Sequence, residues 1–202
     1  MKIYDTKTAP TPRRVRIFLA EKGITVDYVQ IDLAKGENLS EEMRKKNPIA
    51  KIPVLELDDG TCISESDAIC LYFETLHPEP ALLGTSALEK ATIAMWQRQI
   101  ELCLFNQVGM CFQHSTGYFK DRMTPVPEFG KEAGINAAKY LTVLNTRLQH
   151  NEFVAGDSFS IADITGLCAI DFARVVDIRI QPKHEHLQRW YDQIAARPSA
   201  KA

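Results

Sequence analysis

The sequence predicts an α/β domain followed by an all-α domain. Three observations predict it. Hydrophobic spacing switches repeatedly between strand and helix periods over residues 1–77. A proline- and glycine-bearing stretch, residues 78–86, then interrupts the pattern. From residue 87 to 202 only helical spacing remains. The expected boundaries are therefore 1–77, a linker at 78–86, and 87–202.

Lys2 to Tyr4 reads as a short strand. Pro12 to Lys22 reads as a helix, with Val15, Ile17, Phe18 and Leu19 apolar and Gly23 just past its end. Asp27 to Leu33 alternates through Tyr28, Val29 and Ile31 and reads as a second strand. Ser40 to Lys46 is a short polar helix. Ile52 to Leu57 is rich in β-formers, and Asp58-Asp59-Gly60 turns it back into Thr61 to Ser64. Ser66 to Leu76 resumes helical spacing. The order β-α-β-α-β-β-α implies a parallel pair joined by a right-handed crossover, then an antiparallel hairpin. That is a four-stranded mixed sheet in a thioredoxin-like arrangement.

The second domain reads as a helical bundle. Its stretches are Ala87 to about His114, Phe129 to Gln149, an apolar Ser160 to Val176 expected at the centre, and His186 to Ala196.

Composition narrows the function classes. The 202 residues are 45% hydrophobic and 25% charged with a net charge of -2, so neither nucleic acid nor an anionic membrane is expected as partner. No apolar run approaches the ~20 residues that span a bilayer. The five cysteines, Cys62, Cys70, Cys103, Cys111 and Cys168, are odd in number and lack C-x-x-C spacing. They fit a reducing cytoplasm better than a disulfide framework. The five histidines are scattered, and no metal site is expected.

Two stretches carry chemistry. In Lys51-Ile52-Pro53-Val54-Leu55 a proline interrupts a β-rich run, where it cannot donate to a ladder. Either it marks an edge strand, or the Ile52-Pro53 bond is cis and leaves the Ile52 N–H and C=O free to pair with an extended peptide. In Ile63-Ser64-Glu65-Ser66-Asp67-Ala68-Ile69 a strand enters a helix. Ser66 is expected as N-cap, at a helix end that attracts a carboxylate, with Glu65 placed to take an ammonium. The alternative is an ordinary cap beside a surface glutamate. Further on, Ser160 with Asp163 three residues later reads as a capping box, a structural feature without catalysis.

Taken together these stretches resemble the glutathione S-transferase family. Lys51 to Leu55 followed by Glu65 to Ile69 is similar to its glutathione-site signature. Asn47-Pro48 and Lys35-Gly36-Glu37-Asn38 match in spacing. Phe153 to Asp163 is similar to its helical capping motif. The resemblance implies that Glu65 and Ser66 meet the γ-glutamyl end of glutathione and that the Ile52 main chain, with Pro53 cis, meets the cysteinyl unit. It places Asn38 and Lys51 near the glycyl carboxylate. It implies glutathione as co-substrate without a metal, a homodimer, and a helical half that supplies the pocket for a small hydrophobic electrophile, with Met110 and Tyr118 among its residues. Glu101 is expected to approach the site across the dimer interface.

The family's thiol-activating donor is missing from its usual place. Ala9 stands where many members carry serine, and no cysteine is near. Tyr4 falls slightly early for the tyrosine classes. Thr8 and Thr11 are the hydroxyls available. The N–H groups of the helix start are a second source, thinned by Pro10 and Pro12. A water polarised from the helical half, with His114 the available imidazole, is the third. The start Tyr4-Asp5-Thr6 with Arg14 to Ile17 resembles an atypical fungal subgroup that lacks the standard activator. The expected function is conjugation of the glutathione thiolate to electrophiles. The rival is a non-catalytic or weakly peroxidatic glutathione-binding scaffold.

Overall fold

The structure is a computed structural model that describes residues 1–202. The chain forms two compact units, Met1–Leu82 together with Pro198–Ala202, and Leu83–Arg197. The last five residues thus belong with the first unit and not with the helical half, to which the expected boundary at residue 87 assigns them.

In the first unit the strands are β1 (Lys2–Asp5), β2 (Asp27–Gln30), β3 (Val54–Glu56) and β4 (Cys62–Ser64), and the helices are α1 (Pro10–Glu21), α2 (Glu41–Lys46) and α3 (Ser66–Leu76). The sheet order is β2-β1-β3-β4. β1 runs parallel to β2, with Ile3 opposite Tyr28, and antiparallel to β3, with Ile3 opposite Leu55. The β3–β4 pair closes the predicted hairpin, with Leu55 opposite Ile63. The α/β expectation, mixed sheet included, therefore holds.

The pleat sorts the core. Tyr4 and Val54 point to one face and pack with Ile31, Met43 and Ile52. Ile3 and Leu55, one residue out of phase, are buried, as are Val15, Phe18 and Leu19 of α1 and Ile69, Cys70 and Phe73 of α3. β2 is shorter than its alternation predicts, and all four of its residues are exposed because it forms an edge. One further bond, Ile31 N–H to the Asp5 carbonyl at 2.7 Å, continues the ladder. The Asp32 carboxylate then takes the Ala34 and Lys35 N–H groups at 3.0 and 3.1 Å, an Asx turn that ends the strand.

The linker is tied down. Lys22 reaches the carbonyls of His77 and Pro80, both at 2.7 Å, and the Glu74 carboxylate at 2.7 Å. The ammonium thus ties two carbonyls of the stretch that follows α3 to the residue just past the end of α1. In the last five residues, the Ala200 carbonyl accepts from Arg13 at 2.9 Å and the Ser199 hydroxyl donates to Glu21.

The second unit is helical throughout: α4 (Ala87–Ile100), α5 (Asn106–Ser115), α6 (Pro127–Leu148), α7 (Ile161–Ala173) and α8 (Glu185–Ala195). Glu101–Phe105 is a π-helical segment that joins α4 to α5 without a break. Ser86 and Glu89 close a capping box at the start of α4. α7 is the central helix, every residue from Ile161 to Ile170 being buried. The expected Ser160–Asp163 box is present at its start. Asn145 of α6 caps α8 from outside, its side-chain oxygen accepting the His186 and Leu187 N–H groups, both at 3.0 Å.

Candidate functional site

The candidate site lies in the first unit, where the N-termini of α1 and α3 flank the segment ahead of β3. The Ile52-Pro53 peptide is cis, which settles the first of the two open readings. Ile52 and Pro53 are buried, and the Ile52 N–H makes no hydrogen bond within the chain. The loop before them is held from three sides. Asn38 donates to the Ala50 carbonyl at 2.7 Å, Asn47 donates to the Lys51 carbonyl at 2.8 Å, and the Thr11 hydroxyl donates to the Ile52 carbonyl at 3.2 Å. Ala50 itself sits at φ 54°, a left-handed conformation that a non-glycine residue adopts only when its surroundings hold it there.

The start of α3 corrects one expectation. Glu65, not Ser66, is the N-cap, at φ 73° and ψ 126°, and its side chain makes no capping bond. Ser66 is the first helical residue, 3% exposed, and its hydroxyl turns inward to the Thr11 carbonyl at 2.9 Å. The serine signal was real, but the backbone of Glu65 takes the sharp turn into the helix one residue earlier. The Glu65 side chain remains exposed. The helix therefore opens on main-chain N–H groups that its cap residue leaves uncovered, which is an anion-attracting arrangement.

One further expectation changes. Thr11 has one hydroxyl proton, and the Ile52 carbonyl takes it, so this hydroxyl is not available to a thiolate. Asn38, which the resemblance places near the glycyl carboxylate, gives one of its two amide N–H groups to the Ala50 carbonyl, and its Oδ1 is buried without a partner. Lys51 is exposed, and its ammonium makes no ion pair. Thr8 is exposed in the β1–α1 loop with its hydroxyl uncommitted. Tyr4 is buried, its hydroxyl donating to Glu56 at 2.7 Å, which takes it out of the set of thiol donors.

Sequence reading missed the residues that shape the β1–α1 loop. Asp5 is a 1%-exposed carboxylate paired with Arg16 at 2.6 Å and with the Gln30 amide at 2.9 Å. Arg16 also donates to the Lys7 carbonyl at 3.1 Å, so one guanidinium braces the loop that carries Thr8. Nothing local marks this role, because the partners lie up to 25 residues apart. Nearby, Glu56 gathers Lys46 at 2.6 Å, the Tyr4 hydroxyl and Lys2 at 3.3 Å. Lys46 foremost, with Tyr4, draws its carboxyl down to about 2, and the same contact raises the Lys46 ammonium.

In the second unit His114 stands in the last turn of α5. Its Nδ1 accepts the Val126 N–H at 3.0 Å, so the proton of the neutral ring sits on Nε2, and Phe129 packs edge-on at 5.0 Å. Tyr118 lies 5.4 Å from Phe112 and 4.8 Å from Phe119, and Phe112 lies 5.4 Å from Phe172, a contiguous aromatic cluster within this unit. Met110 is half-buried on α5. Glu101, in the π segment, is ion-paired with Arg98 at 3.4 Å. No helix is long and apolar enough to cross a membrane.

Comparison with known proteins gives the same reading from both ends of the chain. The family model for the glutathione S-transferase N-terminal domain matches residues 3–81, and that for the C-terminal domain matches residues 119–198. "Glutathione S-transferase 2" of Saccharomyces cerevisiae is 40% identical over 205 residues, covering 100% of this chain and 88% of the relative. The crystal structure of a glutathione S-transferase domain-containing protein from Marinobacter aquaeolei VT8 is 43% identical, with a TM-score of 0.95 over 98% of this chain and 99% of that one. Gtt2 from Saccharomyces cerevisiae is 40% identical, with a TM-score of 0.96 over 100% and 99%. Matches of this length and closeness join the cis-proline segment, the Glu65–Ser66 corner and the helical unit into one identification: this chain belongs to the glutathione S-transferase family.

Proposed function

We propose that this protein binds glutathione in its first unit and transfers the thiolate to small hydrophobic electrophiles. The observation that carries the reading is the backbone of Glu65, whose left-handed φ delivers the chain into α3 with no side-chain cap. Strain of this kind is kept where the surroundings over-determine it, commonly at ligand sites. The uncovered N–H groups that follow suit the γ-glutamyl carboxylate, and the exposed Glu65 carboxylate suits its ammonium. The unpaired Ile52 N–H suits the cysteinyl carbonyl. Lys51, an exposed cation with no partner, suits the glycyl carboxylate, with the remaining Asn38 amide N–H beside it.

Of the donors considered for the sulfur, Thr8 keeps a free hydroxyl and Thr11 keeps only its main-chain N–H. His114 offers one N–H in the second unit. A donor hydrogen bond favours the thiolate over the thiol, lowering a pKa that is ~8.5 in the free thiol. The aromatic cluster around Phe112 and Tyr118, with Met110, is the apolar surface that suits an electrophile. A second copy of the chain is the proposed protein partner. α3 exposes Leu71, and α4 with the π-helical segment that continues it exposes Leu88, Met95 and Leu102 at seven-residue spacing.

Titration calorimetry with glutathione, paired with turnover of a generic aryl halide, tests the reading. Uptake and turnover together support it. Uptake with no turnover across several electrophile classes makes the protein a glutathione-binding scaffold instead. Absence of uptake at millimolar glutathione overturns both. Size-exclusion chromatography with mass measurement tests the dimer.

A further inference from the structure

We infer that Thr11 is a positioning residue that ties the Ile52-Pro53 segment and the start of α3 to the N-terminus of α1, and that it acts on glutathione affinity rather than on the sulfur. The inference rests on the glutathione reading above and deepens it. Three chain segments, distant in sequence, must keep register to grip one extended peptide. Thr11 hydrogen-bonds to both of the others. Its hydroxyl donates to the Ile52 carbonyl at 3.2 Å, across 41 residues, and its carbonyl accepts the Ser66 hydroxyl at 2.9 Å, across 55 residues.

Local chemistry explains why this residue can do so. A threonine inside a helix commonly turns its hydroxyl back to a carbonyl three or four residues earlier. Thr11 is the second residue of α1, so the helix offers no such carbonyl and the hydroxyl is free to reach across. Its β-branch restricts the side chain to few rotamers, so the aim is held at small entropic cost. A carbonyl has two lone pairs, which lets the Thr11 oxygen serve both its own helix and Ser66. The Ile52 carbonyl likewise keeps one lone pair for a ligand N–H. The single hydroxyl proton, in contrast, has one destination.

Thr11→Val keeps the shape and removes the hydroxyl. Calorimetry of glutathione binding, the pH dependence of the bound thiolate's ultraviolet absorbance, and amide hydrogen exchange of the unliganded protein are measured for wild type, Thr11→Val and Thr11→Ser. The expected result is about tenfold weaker binding in Thr11→Val, the loss of roughly one hydrogen bond. The thiol pKa is unchanged, and exchange is faster at Ala50 and Ile69, whose N–H groups are held by the Asn47 and Glu65 carbonyls at 2.8 and 3.0 Å beside the two tied segments. Thr11→Ser should recover affinity to within about threefold, because it restores the donor. Unchanged affinity with a raised thiol pKa would assign the hydroxyl to the sulfur and overturn the inference. Unchanged affinity together with unchanged exchange would also overturn it. If wild type takes up no glutathione, the ligand reading fails by itself, and the exchange comparison still decides whether Thr11 holds the two segments.

Discussion

The indole N–H of Trp190 donates to Asp163 at 2.8 Å, and both residues are fully buried. The same carboxylate accepts the Val154 N–H at 2.8 Å, the Ser160 N–H at 2.9 Å and the Ser160 hydroxyl at 3.1 Å. Burial pushes its pKa up, and these donors work against that shift. One acidic side chain thus joins the α7 cap, the loop before it and α8. Asp163→Ala leaves several buried donors without an acceptor, each a desolvation cost of about 1–3 kcal/mol. The expected loss in a urea titration followed by far-UV circular dichroism is about 4 kcal/mol. Asp163→Asn, which keeps one acceptor oxygen, should lose less.

Gly166 is the second point at which Trp190 constrains α7. A Cβ there would lie 2.9 Å from the Trp190 ring, which is 0% exposed and has no room to move. Glycine within a helix is worse than alanine by about 1 kcal/mol, so on propensity alone Gly166→Ala should stabilise. Overpacking a core costs about 1–3 kcal/mol, and a rigid indole puts the clash at the upper end. A net loss of about 1–2 kcal/mol is expected in the same titration. Adding Trp190→Phe should make the alanine less costly than it is in the wild-type background, a coupling that independent sites would not show.

Glu56 predicts how the first unit responds to acid. Its carboxyl is held at about 2 against an ordinary 4.5, so its pairing with Lys46 and Tyr4 stabilises the fold fully above pH 4.5. That contribution fades as pH falls from 4.5 towards about 2, where the carboxylate takes up its proton in the folded state. Partial exposure and solvent screening hold the effect to about 1 kcal/mol. Glu56→Gln should therefore lower stability at pH 7 and flatten the dependence between pH 4.5 and 2. Denaturant midpoints across that range measure both, and an unaltered slope in the variant would place the acid sensitivity elsewhere.

Local rules carried most of the fold. The Ser160–Asp163 box and the β3–β4 hairpin each follow from a residue and its near neighbours and stand where capping and turn chemistry put them, and α3 spans the residues its periodicity marks although its cap is Glu65 and not Ser66. What escaped was set by distant partners. The π segment Glu101–Phe105 lies inside an unbroken helical pattern, so no residue announces it. Pro198–Lys201 looks like a tail until Arg13 and Glu21 are seen to hold it. At the candidate site the residue types were legible, while the direction of their hydrogen bonds was not. Thr11 and Ser66 carry hydroxyls that sequence reading aimed at a ligand, and the fold aims them at Ile52 and Thr11. A hydroxyl's allegiance depends on which carbonyl comes within 3 Å or so, and that is a tertiary fact.

Arg16 and Thr8 give the last prediction, because the first holds the loop on which the second stands. Arg16→Ala strips the buried Asp5 carboxylate of its cation and leaves it the Gln30 amide. Removing one partner of a buried pair costs about 3–5 kcal/mol, so lowered stability is expected together with weaker glutathione turnover as the β1–α1 loop loses its brace. Thr8→Val tests the hydroxyl without touching the brace. Stability should stay within about 0.5 kcal/mol of wild type, since the side chain is exposed and unbonded. If Thr8 is the thiolate donor, the bound thiol pKa rises by about one unit, equivalent to about 1.4 kcal/mol of lost hydrogen bonding. Turnover below pH 7 should then drop about tenfold while glutathione affinity changes little. If the pH–rate profile of Thr8→Val overlays that of wild type, the Thr8 hydroxyl is not the donor, and among the first unit's candidates the Thr11 main-chain N–H is left.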